Sequence, residues 1–190
     1  VIPTRNNYTF IGWATTANGS TAEYLPGDEF TMGTSVVTLY AVWKLNPSLA
    51  YNPNGGKFVN SPEVLYPAAG SEITITSLIP ELEGNTFDGW SFTSGATAAD
   101  YRAGDKITMP SSDVVLYAVW KIKTYTIEYN LNNGTVLSNK TSYTVETESC
   151  TLENTLRDGY TFIGWSGTDI ADKSTAVTIE KGSIGNKSFT

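Results

Sequence analysis

Histidine is absent from this chain of 190 residues, and cysteine occurs once. Without imidazole there can be no Ser-His-Asp or Cys-His machinery and no histidine metal ligand. A lone cysteine, Cys150, cannot close an intrachain disulfide, so the fold must rest on packing. Cys150 itself reads as a small apolar filler, because nothing basic of the imidazole type is available to activate its thiol. Charge is also scarce: 16% of residues are charged, against roughly 25% in an average soluble domain. The 12 basic residues are scattered and outnumbered by 19 acidic ones, for a net charge of −7. That excludes nucleic acid and anionic lipid surfaces as partners, since phosphate binding needs clustered Lys and Arg. No apolar run approaches the length that crosses a bilayer, which excludes membrane insertion of this stretch by a helix. Phosphate-loop, dinucleotide, nucleophile-elbow and calcium-loop fingerprints are all missing.

What the chain does hold is aromatic and uncharged polar: 40% hydrophobic residues, with 5 Trp, 11 Tyr and 7 Phe. This is too apolar for disorder, and length alone suggests one or two domains. Internal repetition overrules that count. Residues 2–44 match 79–121 without a gap at an offset of 77, with about half of the positions identical, ending in the block Leu39-Tyr40-Ala41-Val42-Trp43-Lys44, which recurs as residues 116–121. Tyr160-Thr161-Phe162-Ile163-Gly164-Trp165 repeats Tyr8-Thr9-Phe10-Ile11-Gly12-Trp13, and Tyr51-Asn52-Pro53-Asn54-Gly55-Gly56 recurs as Tyr129-Asn130-Leu131-Asn132-Asn133-Gly134. The chain therefore reads as about two and a half units: 1–44, the C-terminal part of a first repeat; 45–121, a complete one; and 122–190, a third that lacks its final strand end. It opens Val1-Ile2-Pro3 without Met, as expected of a piece of a longer protein.

Within a unit nearly everything reads as strand. Tyr125, Ile127 and Tyr129 alternate with polar residues and should share a buried face. The Asn-Gly-Gly and Asn-Asn-Gly runs favour turns of positive φ that return the chain into residues 143–145 or 64–66. A short helix or a turn is expected over 77–83 and 151–156, where alternation weakens. Gly12, Gly89 and Gly164 lie inside strands and mark a bulge or a close approach by another group. The strand over 39–43, apolar on both faces, should be central in its sheet. Gly27-Asp28 and Gly104-Asp105 are turns by composition.

The Gly-Tyr-x-Phe-x-Gly-Trp strand, the Leu-Tyr-Ala-x-Trp ending and the Tyr-x-x-Asn-Gly-Gly turn resemble the Listeria-Bacteroides repeat family, the internalin B-repeats, over essentially the whole chain. The resemblance implies tandem small β-grasp-like (ubiquitin-like) units, mainly β with little helix, in bacterial cell-surface or secreted proteins. It brings no catalytic residue, no cofactor and no metal. Asn85 and Asp88 depart from the pattern of the Phe-x-Gly-Trp strand in the second unit, as does the run Lys181 to Asn186 in the third unit.

Two functional readings are open. In one the repeats are a non-catalytic spacer or adhesion module whose partners are a host protein, a matrix protein or a glycan. In the other they form a carbohydrate-binding module that stacks sugars on the equivalent rings of Trp13, Trp90 and Trp165. The two differ in whether those rings are exposed, since the same aromatics are the largest apolar side chains available for a core. Trp43 and Trp120 are expected to be buried, which would make Trp120→Ala cost about 3 to 5 kcal/mol. Asp88 lies on the alternating face of Trp90 and suggests that this face is partly wet. Asp169 and Asp172 read as a solvated turn. In the third unit Phe189-Thr190 aligns with Tyr117-Ala118, two residues short of the closing Trp. The first 44 residues should carry an open strand edge that associates with another chain or with the following unit.

Overall fold

The computed structural model describes residues 2–136 and 138–190, and among these the chain is all β. The strands are β1 (Tyr8–Ala14), β2 (Tyr40–Leu45), β3 (Leu49–Asn52), β4 (Glu72–Thr74), β5 (Asn85–Ser91), β6 (Lys106–Thr108), β7 (Val114–Ile122), β8 (Tyr125–Tyr129), β9 (Ser142–Tyr143), β10 (Cys150–Thr151), β11 (Trp165–Gly167), β12 (Ile170–Ser174), β13 (Thr178–Ile179) and β14 (Lys187–Phe189). They form separate small sheets: β1-β2, β3-β7-β5, β4-β6, β12-β11-β14-β8-β9 and β10-β13. Among the described residues no helix is long and apolar enough to cross a membrane. Two compact units emerge, one of Val1–Asn54, Phe58–Pro80 and Gly89–Val119, the other of Gly55–Lys57, Glu81–Asp88 and Trp120–Thr190.

Of the two segments open to helix or turn, neither forms a helix; each holds one isolated bridge, and the first ends in a turn in which the Asn85 N–H donates to the Leu82 carbonyl at 3.0 Å. Glu81 forms an isolated bridge with Lys57, and Leu156 forms the equivalent bridge with Thr135. Each exchanges two backbone hydrogen bonds of 2.8 to 2.9 Å with its partner. That pairing satisfies the backbone polar groups that a helix would have satisfied internally.

Each repeat places its first strand parallel to its last. Leu49 to Asn52 run beside Val114 to Tyr117, and Ile127 to Tyr129 run beside Lys187 to Phe189. The entry to this pairing is held alike in both: the Ser48 N–H donates to Asp113 at 2.7 Å, and the Thr126 N–H donates to Asn186 at 3.0 Å. Backbone and side-chain hydrogen bonds from Ser48 hold the Asp113 carboxyl below its usual pKa. The strand over 39–43, expected to be central, is instead one of two strands in the β1-β2 sheet; only its equivalent β7 is the middle strand of a sheet. The Asn turns have the positive φ the sequence called for, Asn54 at 48° with Gly55 at 89° and Asn132 at 48° with Asn133 at 65°. They return the chain, as expected, to antiparallel partners at Leu65 and Tyr143, through a dozen or so residues rather than a tight hairpin.

The register corrects two sequence readings. Tyr129 pairs with Phe189 as Tyr51 pairs with Leu116, so Phe189 stands in the place of Leu116 and not of Tyr117. Trp43 and Trp120 are only half-buried, whereas Trp90 and Trp165 are fully buried. Trp120 lies at the far end of β7, edge-on to Phe87 at 5.8 Å, beyond the densest packing. Around Trp165 the third-repeat core gathers Ile127, Tyr143, Leu152, Ile179 and Phe189. Leu49, Ile75, Ile107, Met109 and Leu116 are the corresponding buried residues of the second repeat.

The Phe-x-Gly-Trp strand explains why the other tryptophan is central. In β1 the ladder with β2 slips between Phe10 and Gly12, where Gly12 adopts φ 141°. This bulge resets the alternation, so residues three apart share a face. Phe10 meets Trp13 edge-on at 5.1 Å and Phe162 meets Trp165 at 5.3 Å. The close approach expected at the glycine is real, and it comes from a neighbouring chain segment. A Cβ on Gly89 would lie 2.3 Å from the Tyr101 carbonyl oxygen, and one on Gly12 would lie 2.5 Å from that of Tyr24.

Candidate functional site

Asp88 illustrates what the bulge does to side-chain direction. Its carboxylate is buried and accepts from Lys121 Nζ at 2.8 Å, so the polar residue is answered by an ion pair rather than by a wet face. In the other repeats the same position is Ile11 or Ile163. The Gly-Asp turns are explained locally: Asp28 accepts from the Leu25 N–H and Asp105 from the Arg102 N–H, each at 2.6 Å. Asp169 sits in a turn at φ 62° and pairs with Lys187, while Asp172 is exposed on β12. Among the described residues no three of His, Cys, Asp and Glu converge to hold a metal ion.

The tyrosines that open each repeat are half-buried and differently used. Tyr51 accepts from the Thr76 N–H at 3.0 Å, and burial raises its pKa against that hydrogen bond. The equivalent Tyr129 donates to the Lys140 carbonyl at 2.8 Å. Burial, and then the neighbouring Cys150, push Tyr129 up to about 12. Cys150 packs against the third-repeat core as the expected filler. Tyr143, also raised chiefly by burial, donates to the Gly185 carbonyl.

The three tryptophans proposed as sugar platforms are not a row of exposed rings. Trp90 and Trp165 are both 0% exposed, and Trp13 is half-buried. Tyr51 stands edge-on to Trp90 at 5.0 Å, with Phe58 stacked on the indole at 6.0 Å. An indole covered on this scale has no face left for a sugar ring.

Trp165 borders a cavity among the described residues. The cavity, about 240 Å³, is lined by Leu131, Asn132, Thr155, Phe162, Ile163 and Trp165 among others, with Arg157 and Lys173 also in its lining and no carboxylate. Arg157 lies over the Tyr160 ring at 3.8 Å and donates to the Asn132 carbonyl at 3.0 Å. What it offers is apolar surface, backbone groups and amides, which suit binding of a chain. Sequence reasoning did not find this cavity, because it depends on which strand stands opposite residues 160–164.

Comparison with known proteins bears on these features. A profile of the Listeria-Bacteroides repeat domain matches residues 1–42, 48–119 and 125–190. A protein of Evansella cellulosilytica named as a Gly-rich membrane protein is 38% identical over 85% of this chain and 18% of its own length. A second protein of that organism, named as a membrane protein, is 35% identical over 70% of this chain and 19% of its own length. Internalin H of Listeria monocytogenes is 38% identical over 45% of this chain and 15% of its own length. The chain thus spans less than a fifth of each of these relatives, and none of the three is named as an enzyme. No solved structure matches it.

Proposed function

The chain belongs to the Listeria-Bacteroides repeat family, and from that premise we propose that it is a non-catalytic module of a bacterial cell-surface or secreted protein. Its tandem β units space or display neighbouring regions and make adhesive contact with a host or matrix protein. The observation that carries this reading is the threefold succession of the same repeat along the chain, with the aromatics engaged in packing and no converging metal-ligating groups among the described residues. Relatives named as membrane proteins and as an internalin support the placement outside the cell. We take each unit to be β-grasp-like with extended chain in place of the helix, and the units to run 1–44, 45–121 and 122–190. The parallel pairing of first and last strands supports the first of these, and the recurrence of Leu-Tyr-Ala-Val-Trp-Lys at 39–44 and 116–121 supports the second.

The test is antibody labelling of the parent protein on intact bacteria, alongside binding of the chain to immobilised matrix proteins and glycans. Labelling without permeabilisation and saturable binding to a matrix protein are expected. Labelling only after permeabilisation would remove the surface assignment. A glycan signal abolished by Trp13→Ala would move the function to carbohydrate binding.

A further inference from the structure

We propose that successive repeats lock at a fixed joint, in which the turn before the Phe-x-Gly-Trp strand of one repeat is the docking surface for a loop of the next, and that a matched pair of residues makes each joint specific for the repeat that follows. The connections between repeats are short: three residues separate β2 from β3, and two separate β7 from β8. Each is tied back to the repeat it leaves. The Asn46 N–H donates to the Asn7 carbonyl at 2.9 Å, and 77 residues on the Lys123 N–H donates to the Gly84 carbonyl at 2.9 Å. Asn7 and Gly84 occupy the same place in the same turn, with φ of 65° and 70°. That turn is closed by the Tyr8 N–H on the Arg5 carbonyl at 3.2 Å and by the Asn85 N–H on the Leu82 carbonyl at 3.0 Å.

The following repeat reaches back to the same place. At the first joint the Asn46 side chain bridges the two repeats, accepting from Thr9 Oγ1 at 2.6 Å and donating through Nδ2 to the Tyr66 carbonyl at 2.9 Å. Pro47, next in the chain, is buried and fixes its own φ. At the second joint the contact is apolar. Gly84 is buried, and a Cβ added there would lie 2.9 Å from Val145 Cγ2 and nearer still to Cγ1. Val145 is held in turn by its own repeat, where its carbonyl accepts from the Gly182 N–H at 3.0 Å. The compact units accordingly cut across the repeats: Val1–Asn54 joins most of the second repeat, and Glu81–Asp88 joins Trp120–Thr190. Each joint lies inside one unit.

The two joints are matched differently. The Thr147 N–H donates to the Thr144 carbonyl at 3.0 Å, and the Ser71 N–H donates to the Ala68 carbonyl at 3.1 Å, so Ala69 stands in the place of Val145. Asn7 stands in the place of Gly84. The first joint thus combines asparagine with alanine and the second combines glycine with valine, the larger residue changing sides. Close packing leaves no room for an asparagine side chain against Val145. The partner that fits a glycine turn is a repeat with a branched side chain in this loop, and the partner that fits an asparagine turn is one with a small side chain. This holds whether the repeats space neighbouring regions or adhere.

The experiment compares nitrogen-15 relaxation and amide exchange in the labelled 190-residue chain, in Gly84→Asn and in Gly84→Asn with Val145→Ala. In the unsubstituted chain the second and third repeats should tumble with one correlation time. Asparagine accepts a positive φ, so Gly84→Asn keeps its turn. It should nevertheless give the third repeat a shorter correlation time of its own and speed exchange of the Lys123 amide at least tenfold. Adding Val145→Ala should return both quantities to within about twofold of their starting values, as coupling across a shared contact requires. If Gly84→Asn costs the third repeat its fold, regain of that fold in the double variant supports the joint equally. Separate correlation times in the unsubstituted chain, no effect of Gly84→Asn, or no recovery in the double variant would each overturn the proposal.

Discussion

In the second repeat Phe87 lies edge-on to Trp120, and Asp88 is paired with Lys121. In the third, the equivalent Phe162 lies edge-on to Trp165, and Ile163, in the place of Asp88, is 70% exposed. The two repeats share their first strand, their parallel closing pair and a fully buried tryptophan. They differ in what surrounds Asp88 and Ile163. Burial of a side chain in a sheet is thus a property of its partner strand as much as of its own strand, and one sequence motif has two exposures.

The strongest way to sharpen this comparison is to truncate the tryptophans in turn. Trp90→Ala and Trp165→Ala should each cost about 3 to 5 kcal/mol in denaturant melts, as expected for large buried aromatics. Trp120→Ala should cost only about 1 to 2 kcal/mol, because its ring is only partly withdrawn from water. Equal losses at Trp90 and Trp120 would restore Trp120 to the core.

Next in size is the bulge glycine. Gly89 combines φ 148° with a Tyr101 carbonyl oxygen 2.3 Å from where a Cβ would stand. Gly164 meets its nearest atom, the Ser174 backbone nitrogen, at 2.8 Å. Gly89→Ala should therefore cost about 2 to 3 kcal/mol and Gly164→Ala about 1 to 2, in the range of local backbone strain. Calorimetry of the two variants checks the order, and the comparison breaks if Gly164→Ala proves the more damaging.

A smaller effect is expected at Asp88. Asp88→Asn keeps the shape and removes the charge that holds Lys121, whose side chain is 62% exposed while that of Asp88 is 8% exposed. The loss should be about 1 to 2 kcal/mol, reduced from a fully buried pair by the solvated lysine. Asp88→Ile, which copies the residue of the other two repeats, should be close to neutral, since a buried ion pair replaced by packed apolar atoms seldom costs much. A large loss in Asp88→Ile by urea titration would mean that the carboxylate has a role the other repeats lack.

The smallest effect is on alkaline stability. The Tyr129 pKa is raised in the folded chain to about 12 from an ordinary value of 10.0, mainly by burial. The folded state then holds its proton more tightly than the unfolded one, and the stabilisation is fully present below about pH 10 and lost as pH rises through about 12. Tyr129→Phe should flatten the fall in melting temperature over that window. An unchanged slope would show that Tyr51 and Tyr143, raised in the same direction, carry it instead.

By itself the sequence determined the repeat, the all-β character and the positions where only glycine or asparagine fits. These are local matters: period-two alternation, turn residues with positive φ, and a glycine inside an apolar strand. The parallel pairing of first and last strands was not legible, nor was the bridge of Glu81 to Lys57. Each rests on hydrogen bonds between segments tens of residues apart. Tertiary structure alone decided which tryptophan is central, because a bulge such as that at Gly12 shifts the alternation that a period-two reading carries straight through. It also decided the one-residue register of Phe189 and which residues line the cavity beside Trp165. A side chain's surroundings are set by the strand that arrives opposite it, and that strand is not written in the residues beside it.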